Sequence, residues 1–167
     1  MKGNAVRDIT IMVVILMSIM LLVTPSSSTS ITITKDESVT VGQSVTLPLM
    51  VKGAEEPISC ASVILSYNSS VFKVTEDSVK EGDFDLFVPN VENGKIKIVC
   101  FQIGGEGLKG DFEIANIKFK AIRKGYSKLD IEIQELNNTV GKSVQAETKS
   151  GSLTAEEDEG VPKPTPT

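Results

Sequence analysis

From Ile31 onward the apolar residues of this chain recur at every second position. Ile31 and Ile33, Val39 and Val41, then Val45, Leu47 and Leu49 alternate with polar residues and are punctuated by Gly42. A period of two sends successive side chains to opposite faces of an extended backbone, so these stretches predict short β-strands. ISCASVILSY predicts a longer strand. Its face of Ala61, Val63, Leu65 and Tyr67 is uniformly apolar and should point at the core; Cys60, Ser62, Ile64 and Ser66 form a mixed face. Asn68-Ser69-Ser70 then turns the chain, and Val71 and Phe72 return it to apolar surface.

Farther on, EGDFDLFVPNVENGKIKIVCFQIGG reads as strand, turn, strand. Asn93-Gly94 is a two-residue hairpin signal, because both residue types tolerate positive φ. Ile117, Phe119 and Ala121 alternate with Asn116, Lys118 and Lys120; Leu129, Ile131 and Ile133 alternate with charges; SVQAETKSGSLTA is a last, weaker strand. No segment sustains a helical period. Strands spaced by roughly 8 to 12 residues, with turn signals between them, predict an all-β antiparallel sandwich or barrel.

The two ends differ from this pattern. Lys2 and Arg7 precede a largely apolar run from Ile9 to Val23, followed by Thr24, Pro25 and small residues through Ser30. This is the layout of a secretory signal peptide over residues 1–30, with cleavage near Ser28 or Ser30. A spanning helix wants about 20 apolar residues, so an uncleaved anchor is the weaker reading. EEDEGVPKPTPT closes the chain as an acidic, then Pro/Thr-rich linker or disordered tail, assigned to residues 155–167. One folded domain is expected over residues 31–154, within the size of a single core.

Charge and composition narrow the chemistry. The chain has 17 basic and 22 acidic residues, net −5. Without Lys2, Arg7 and Asp8 the balance is 15 against 21, net −6. An acidic surface disfavours nucleic acid and anionic lipid. No long apolar segment follows the leader, so the mature domain is expected outside the cell, secreted or surface-displayed, without membrane insertion. The absence of His removes Ser-His and Cys-His nucleophile pairs, and two thiols alone cannot build a structural zinc site. No segment matches a calcium loop. GGEG at 104–107 precedes no helix, so it is no phosphate cradle. Asp83 and Asp85 share a strand face beside Phe84 and Phe87 with no spaced acid partner. A non-enzyme without cofactor or metal is therefore expected. With no Trp, and Tyr126 as the one Tyr expected at the surface, a sugar-stacking platform is poorly supplied. In an exported protein Cys60 and Cys100 are disulfide candidates, and the sequons at Asn68 and Asn137 are glycosylation candidates.

Five stretches, in order, resemble a known family: VTVGQSVTLPLMVKG, ASVILSYNSSVFKV, SVKEGDFDLF, NGKIKIVCF and IANIKFKAI. Together they are similar to the cohesin domain. Asn68 and Ser69 stand where that family usually has Asp and Pro, marking an atypical member. The resemblance implies a nine-stranded antiparallel β-sandwich with jelly-roll topology. It implies a non-catalytic module that docks a dockerin-like partner, which carries its own calcium, in extracellular polysaccharide-degrading or surface assemblies. A carbohydrate-binding module of the same fold and a surface adhesion or structural domain are the alternatives, since fold alone does not settle function. The partner face would use strands at 58–67, 86–91, 95–103 and 114–122. Carried over, its outward residues are Cys60, Ser62, Ile64, Ser66, Val91, Ile98, Cys100, Gln102, Lys118 and Lys120. That register would also put both thiols on one outer face, where a disulfide closing a loop of about 40 residues could contribute roughly 4 kcal/mol; two separately packed free thiols are the other reading. The register of 95–103 is open. Solvation of Lys95 and Lys97 would turn Ile96, Ile98 and Cys100 inward, and a slip of one residue flips the whole set.

Overall fold

The computed structural model describes residues 28–33 and 36–158. The apolar leader and the end of the tail lie outside these residues. The described chain is all-β apart from one 3-10 turn at Glu76–Ser78. Its strands are β1 (Ser30–Ile33), β2 (Glu37–Thr40), β3 (Ser44–Ser66), β4 (Phe72–Lys73), β5 (Val79–Glu81), β6 (Leu86–Glu92), β7 (Lys95–Phe101), β8 (Leu108–Ala121), β9 (Gly125–Asn138), β10 (Glu147–Lys149) and β11 (Gly151–Glu156). Eleven strands therefore stand among the described residues, where nine were expected. Both ends of the domain are split into two short strands, while β3 runs unbroken through 23 residues where two strands were expected. Folding extends slightly past 31–154: Thr29 and Ser30 are buried, and β11 runs to Glu156.

β3 organises the sandwich. Residues Ser44–Ala54 pair with β8, and Leu49–Lys52 also pair with β1. Residues Ile58–Ser66 pair with β9, and Cys60–Ser66 also pair with β7. Between these halves the pairing with β8 shifts at Val51/Ala54 and again at Ala54/Ile58. Gly53 supplies a positive φ of 65° there, and Pro57 lacks a backbone donor, so the strand can bend out of one arm of the sheet into the other. One arm runs β5 and β4, β8, β3, β1, β10; the other runs β6, β7, β3, β9, β11, β2. The two arms close over one core.

Alternation decides what enters that core. Leu47, Leu49, Val51, Ala61, Val63 and Leu65 of β3, Ile117, Phe119 and Ala121 of β8, and Leu129 and Ile131 of β9 are all buried, as the period of two predicts. Phe119 makes T-shaped contacts with Tyr67 at 5.8 Å and with Phe72 at 6.3 Å between centroids. Such pairs add about 0.5–1.5 kcal/mol beyond burial. The Asn68 turn is stitched from three directions. Its side-chain oxygen accepts from the Ser70 N–H at 3.1 Å, its own N–H donates to Ser127 Oγ at 2.9 Å, and its side-chain amide donates to the Tyr126 carbonyl at 3.1 Å. The Asn93-Gly94 turn joins β6 to β7 as predicted, but only Gly94, at φ 83°, uses the left-handed region.

The Gly82-Asp83 pair clamps the segment after β5 onto β8. Gly82 and Asp83 donate to the carbonyls of Ile114 and Glu113, and Asp83 Oδ2 accepts from the Glu113 N–H at 2.7 Å. Asp85 Oδ2 accepts from the Ile103 N–H at 2.8 Å. The two aspartates thus brace two different segments. Among the described residues β6 forms an edge, paired only with β7, and Pro89 sits opposite Ile98 in its middle.

Two substitutions test this packing by denaturant titration. Phe119→Ala should cost about 3–5 kcal/mol, because it leaves a cavity beneath both Tyr67 and Phe72. Gly82→Ala should cost about 1–3 kcal/mol, since its Cβ would lie 2.2 Å from the Glu113 carbonyl oxygen, a backbone atom held in β8. Wild-type midpoints for either variant would refute the corresponding contact.

Candidate functional site

The solvent face of the second arm is a regular grid, because β6, β7 and β3 pair without interruption. Opposed residues point to the same side of a sheet. Across β6, β7, β3 and β9 the first row is Leu86, Phe101, Cys60 and Asn137; the second is Val88, Val99, Ser62 and Glu135. The third is Asn90, Lys97, Ile64 and Glu132; the fourth is Glu92, Lys95, Ser66 and Asp130. Between Ser62 and Val63 the register on β9 shifts by one, so Gln134 bulges out and Glu135 returns to the solvent face. Bulges of this kind re-aim side chains.

The grid has an apolar corner. Leu86 is 51 % exposed, Val88 60 % and Phe101 43 %, and Ile103 follows at 62 %. Apolar side chains clustered on one face and rimmed by charge are the composition of an interface, with an apolar centre and a polar edge. Below the corner, Lys95 and Lys97 project from β7. Along β9, Asp130 is paired with Lys128 at 2.5 Å, while Glu132 accepts from Gln134 Nε2 at 2.5 Å. Cys60 Sγ lies 4.0 Å from Glu135 Oε2, and partial burial, then this carboxylate, push its thiol pKa up.

Of the residues expected on this face, Cys60, Ser62, Ile64 and Ser66 are there, Ser62 being closely covered by its neighbours. Ile98 and Cys100 are not: both are completely buried, because Lys95 and Lys97 take the solvent side of β7 and alternation turns Ile96, Ile98 and Cys100 inward. Val91 is opposed to Ile96 and packs against the core. Gln102 falls on the inward parity just past β7, its N–H donating to the Ser59 carbonyl. Lys118 and Lys120 are exposed but lie on β8, opposite Thr46 and Ser44 in the first arm. The fourth strand of the face is β9, not 114–122. Leu86, Val88, Val99, Phe101 and the β9 carboxylates were missed; the solvation of two lysines in β7 was the signal that finds the first four.

The same register separates the cysteines. Cys60 faces Phe101 and Cys100 faces Ala61, so their side chains leave opposite sides of the sheet, and both are free thiols. Cys100 donates to the Ala61 carbonyl at 3.5 Å, and burial pushes its pKa up to about 12. Among the described residues no group of three or more acidic or Cys side chains could hold a metal ion. Asn68 is exposed and Asn137 is half-buried on the outer face beside Cys60. Tyr126 is well exposed, but it stands at the opposite end of β9 from the row holding Phe101.

The cohesin domain model matches residues 29–156, nearly the whole described chain. This chain belongs to the cohesin family. Its fold is similar to a non-cellulosomal cohesin from the hyperthermophilic archaeon Archaeoglobus fulgidus, at 25 % identity and a TM-score of 0.67 over 79 % of this chain and 94 % of that one. It is also similar to a cohesin of Clostridium thermocellum solved in a type I cohesin–dockerin complex (19 %, TM-score 0.67, 80 % and 98 % covered). A third likeness is to the cohesin module of a Clostridium perfringens family 33 glycoside hydrolase (18 %, TM-score 0.66, 80 % and 100 % covered). No curated protein sequence matches this cohesin.

Two thiol measurements follow. Native alkylation should label Cys60, and Cys100 should react only on unfolding; non-reducing peptide maps showing a Cys60–Cys100 bridge would contradict the register. For pH, the unfolded Cys100 thiol ionises near its ordinary value of 9.0, whereas the folded one stays neutral up to about 12. Its contribution to stability is therefore intact below pH 9 and is lost as pH rises from 9 toward 12. Cys100→Val should flatten that part of the stability–pH curve.

Proposed function

We propose that this cohesin is a non-catalytic docking module that receives a dockerin-like partner on the outer face of β6, β7, β3 and β9. The observation that carries the reading is the apolar corner of Leu86, Val88 and Phe101, left in solvent around the half-buried Val99 on an otherwise mostly polar, regular sheet. A flat face with separated apolar and charged zones suits a helical partner. The Clostridium thermocellum relative, solved with a dockerin, supports the partner class. In this reading calcium belongs to the partner, and the eleven strands elaborate a nine-stranded jelly roll. A secreted or cell-surface setting fits, with cleavage after Ser28 because Thr29 and Ser30 already pack into the fold. The assembly would be one for extracellular polysaccharide degradation or surface display. Sugar binding is the weaker reading, since Tyr126 and Phe101 lie too far apart along the sheet to stack on one ring.

Titration of purified, calcium-loaded dockerin modules against the domain tests the proposal. Val88→Asp should weaken binding by about thirtyfold or more if the corner is an energetic centre. Lys118→Glu/Lys120→Glu, in the other arm, should leave affinity unchanged. Retention on insoluble polysaccharide with no dockerin bound would overturn it.

A further inference from the structure

Four charges of the outer face stand in two separated columns, flanked by Glu92 on β6 and by the paired Lys128 and Asp130 on β9. Lys95 and Lys97 stand on β7, and Glu132 and Glu135 stand on β9. Between them runs β3, whose outward residues Cys60, Ser62 and Ser66 are short, interrupted only by Ile64. Strands lie about 4.8 Å apart, so the columns are separated by about 10 Å. At that spacing the opposite charges do not pair with each other. The ion pairs Lys52–Asp111 and Lys128–Asp130 do not join the two columns. The result is a strip of mostly short side chains, with Ile64 between Lys97 and Glu132, bordered by a basic and an acidic column and lying beside the apolar corner.

An α-helix with its side chains is about 10–12 Å across. One laid along β3 would reach both columns at once. We propose that this strip selects a partner helix whose two flanks carry opposite charge: Asp or Glu along the side over Lys95 and Lys97, Lys or Arg along the side over Glu132 and Glu135. Apolar residues of the same partner cover the Leu86–Phe101 corner. The helix orientation is then set by charge, because reversing it would bring like charges together on both sides; such mismatches impose specificity more than affinity. The β9 bulge serves this arrangement directly, since it returns Glu135 to the acidic column. The inference rests on the docking reading above and goes beyond it in naming the partner's charge pattern.

The probes are calcium-loaded dockerin modules, each titrated at about 50 mM and about 500 mM salt, where screening lengths differ severalfold. Lys95→Glu/Lys97→Glu and Glu132→Lys/Glu135→Lys should each weaken binding by about tenfold at low salt and by clearly less at high salt. The Val88→Asp loss should be insensitive to salt. A dockerin with its helix flank charges inverted should recover affinity for a domain carrying both reversals. Glu132→Gln/Glu135→Gln, checked by circular dichroism, repeats the test without reversing charge should a reversed variant unfold. If Val88→Asp weakens binding and the column variants do not, the charge reading is wrong while the docking face stands. If a dockerin binds and none of the variants matters, or if no dockerin binds, the docking reading itself fails and takes this inference with it.

Discussion

Everything in this molecule depends on β3 being hydrogen-bonded on both flanks in both arms. Its first half is held by β8 and β1, and its second by β7 and β9. Neither arm could place its apolar face without it, because a single sheet with one buried side needs a second layer to cover that side. The bend around Gly53 and Pro57 lets one backbone serve as the middle of both layers. The register of β7 and β9 on its second half then fixes the outer face residue by residue.

That dependence explains what could be read from the chain in advance. Alternation in β3, β8 and β9 announces which residues are buried, and Leu65, Phe119 and Leu129 are where it puts them. A period, however, names a face of a strand and never its neighbour. The segment 114–122 has a clean alternation, yet whether it lies beside 58–66 or beside 44–54 is a matter of long-range pairing. It lies beside the latter, so Lys118 and Lys120 move to the other arm. The inward turn of Ile98 and Cys100 was legible in the solvation of Lys95 and Lys97, and it was obscured only by residues carried over from family resemblance. The β9 bulge is marked by no glycine; its one local sign is the Gln134-Glu135 pair between Ile133 and Leu136, which breaks the alternation.

The short polar motifs turn out to be structural. Asn68, a sequon in the chain, uses its amide and oxygen to tie the end of β3 to the start of β9 and to its own turn. Asp83 and Asp85 spend their carboxylates on backbone donors of β8 and of the segment after β7. Burial and the nearby Asp83 push the Glu113 carboxyl pKa up, a local effect of this clamp. Polar residues grouped like these can suggest chemistry, and here the backbone groups they satisfy account for them.

Pro89 has a consequence beyond its own strand. β6 is an edge, and a bridge between Pro89 and Ile98 requires their pair to be the type in which Pro89 turns its backbone away from β7. The outward position at the middle of the edge therefore offers no N–H. An exposed edge beside Leu86 and Val88 would otherwise be a template for strands from other copies, and the start of a fibre. With its central donor deleted, this edge resists backbone growth while its side chains remain free to be covered.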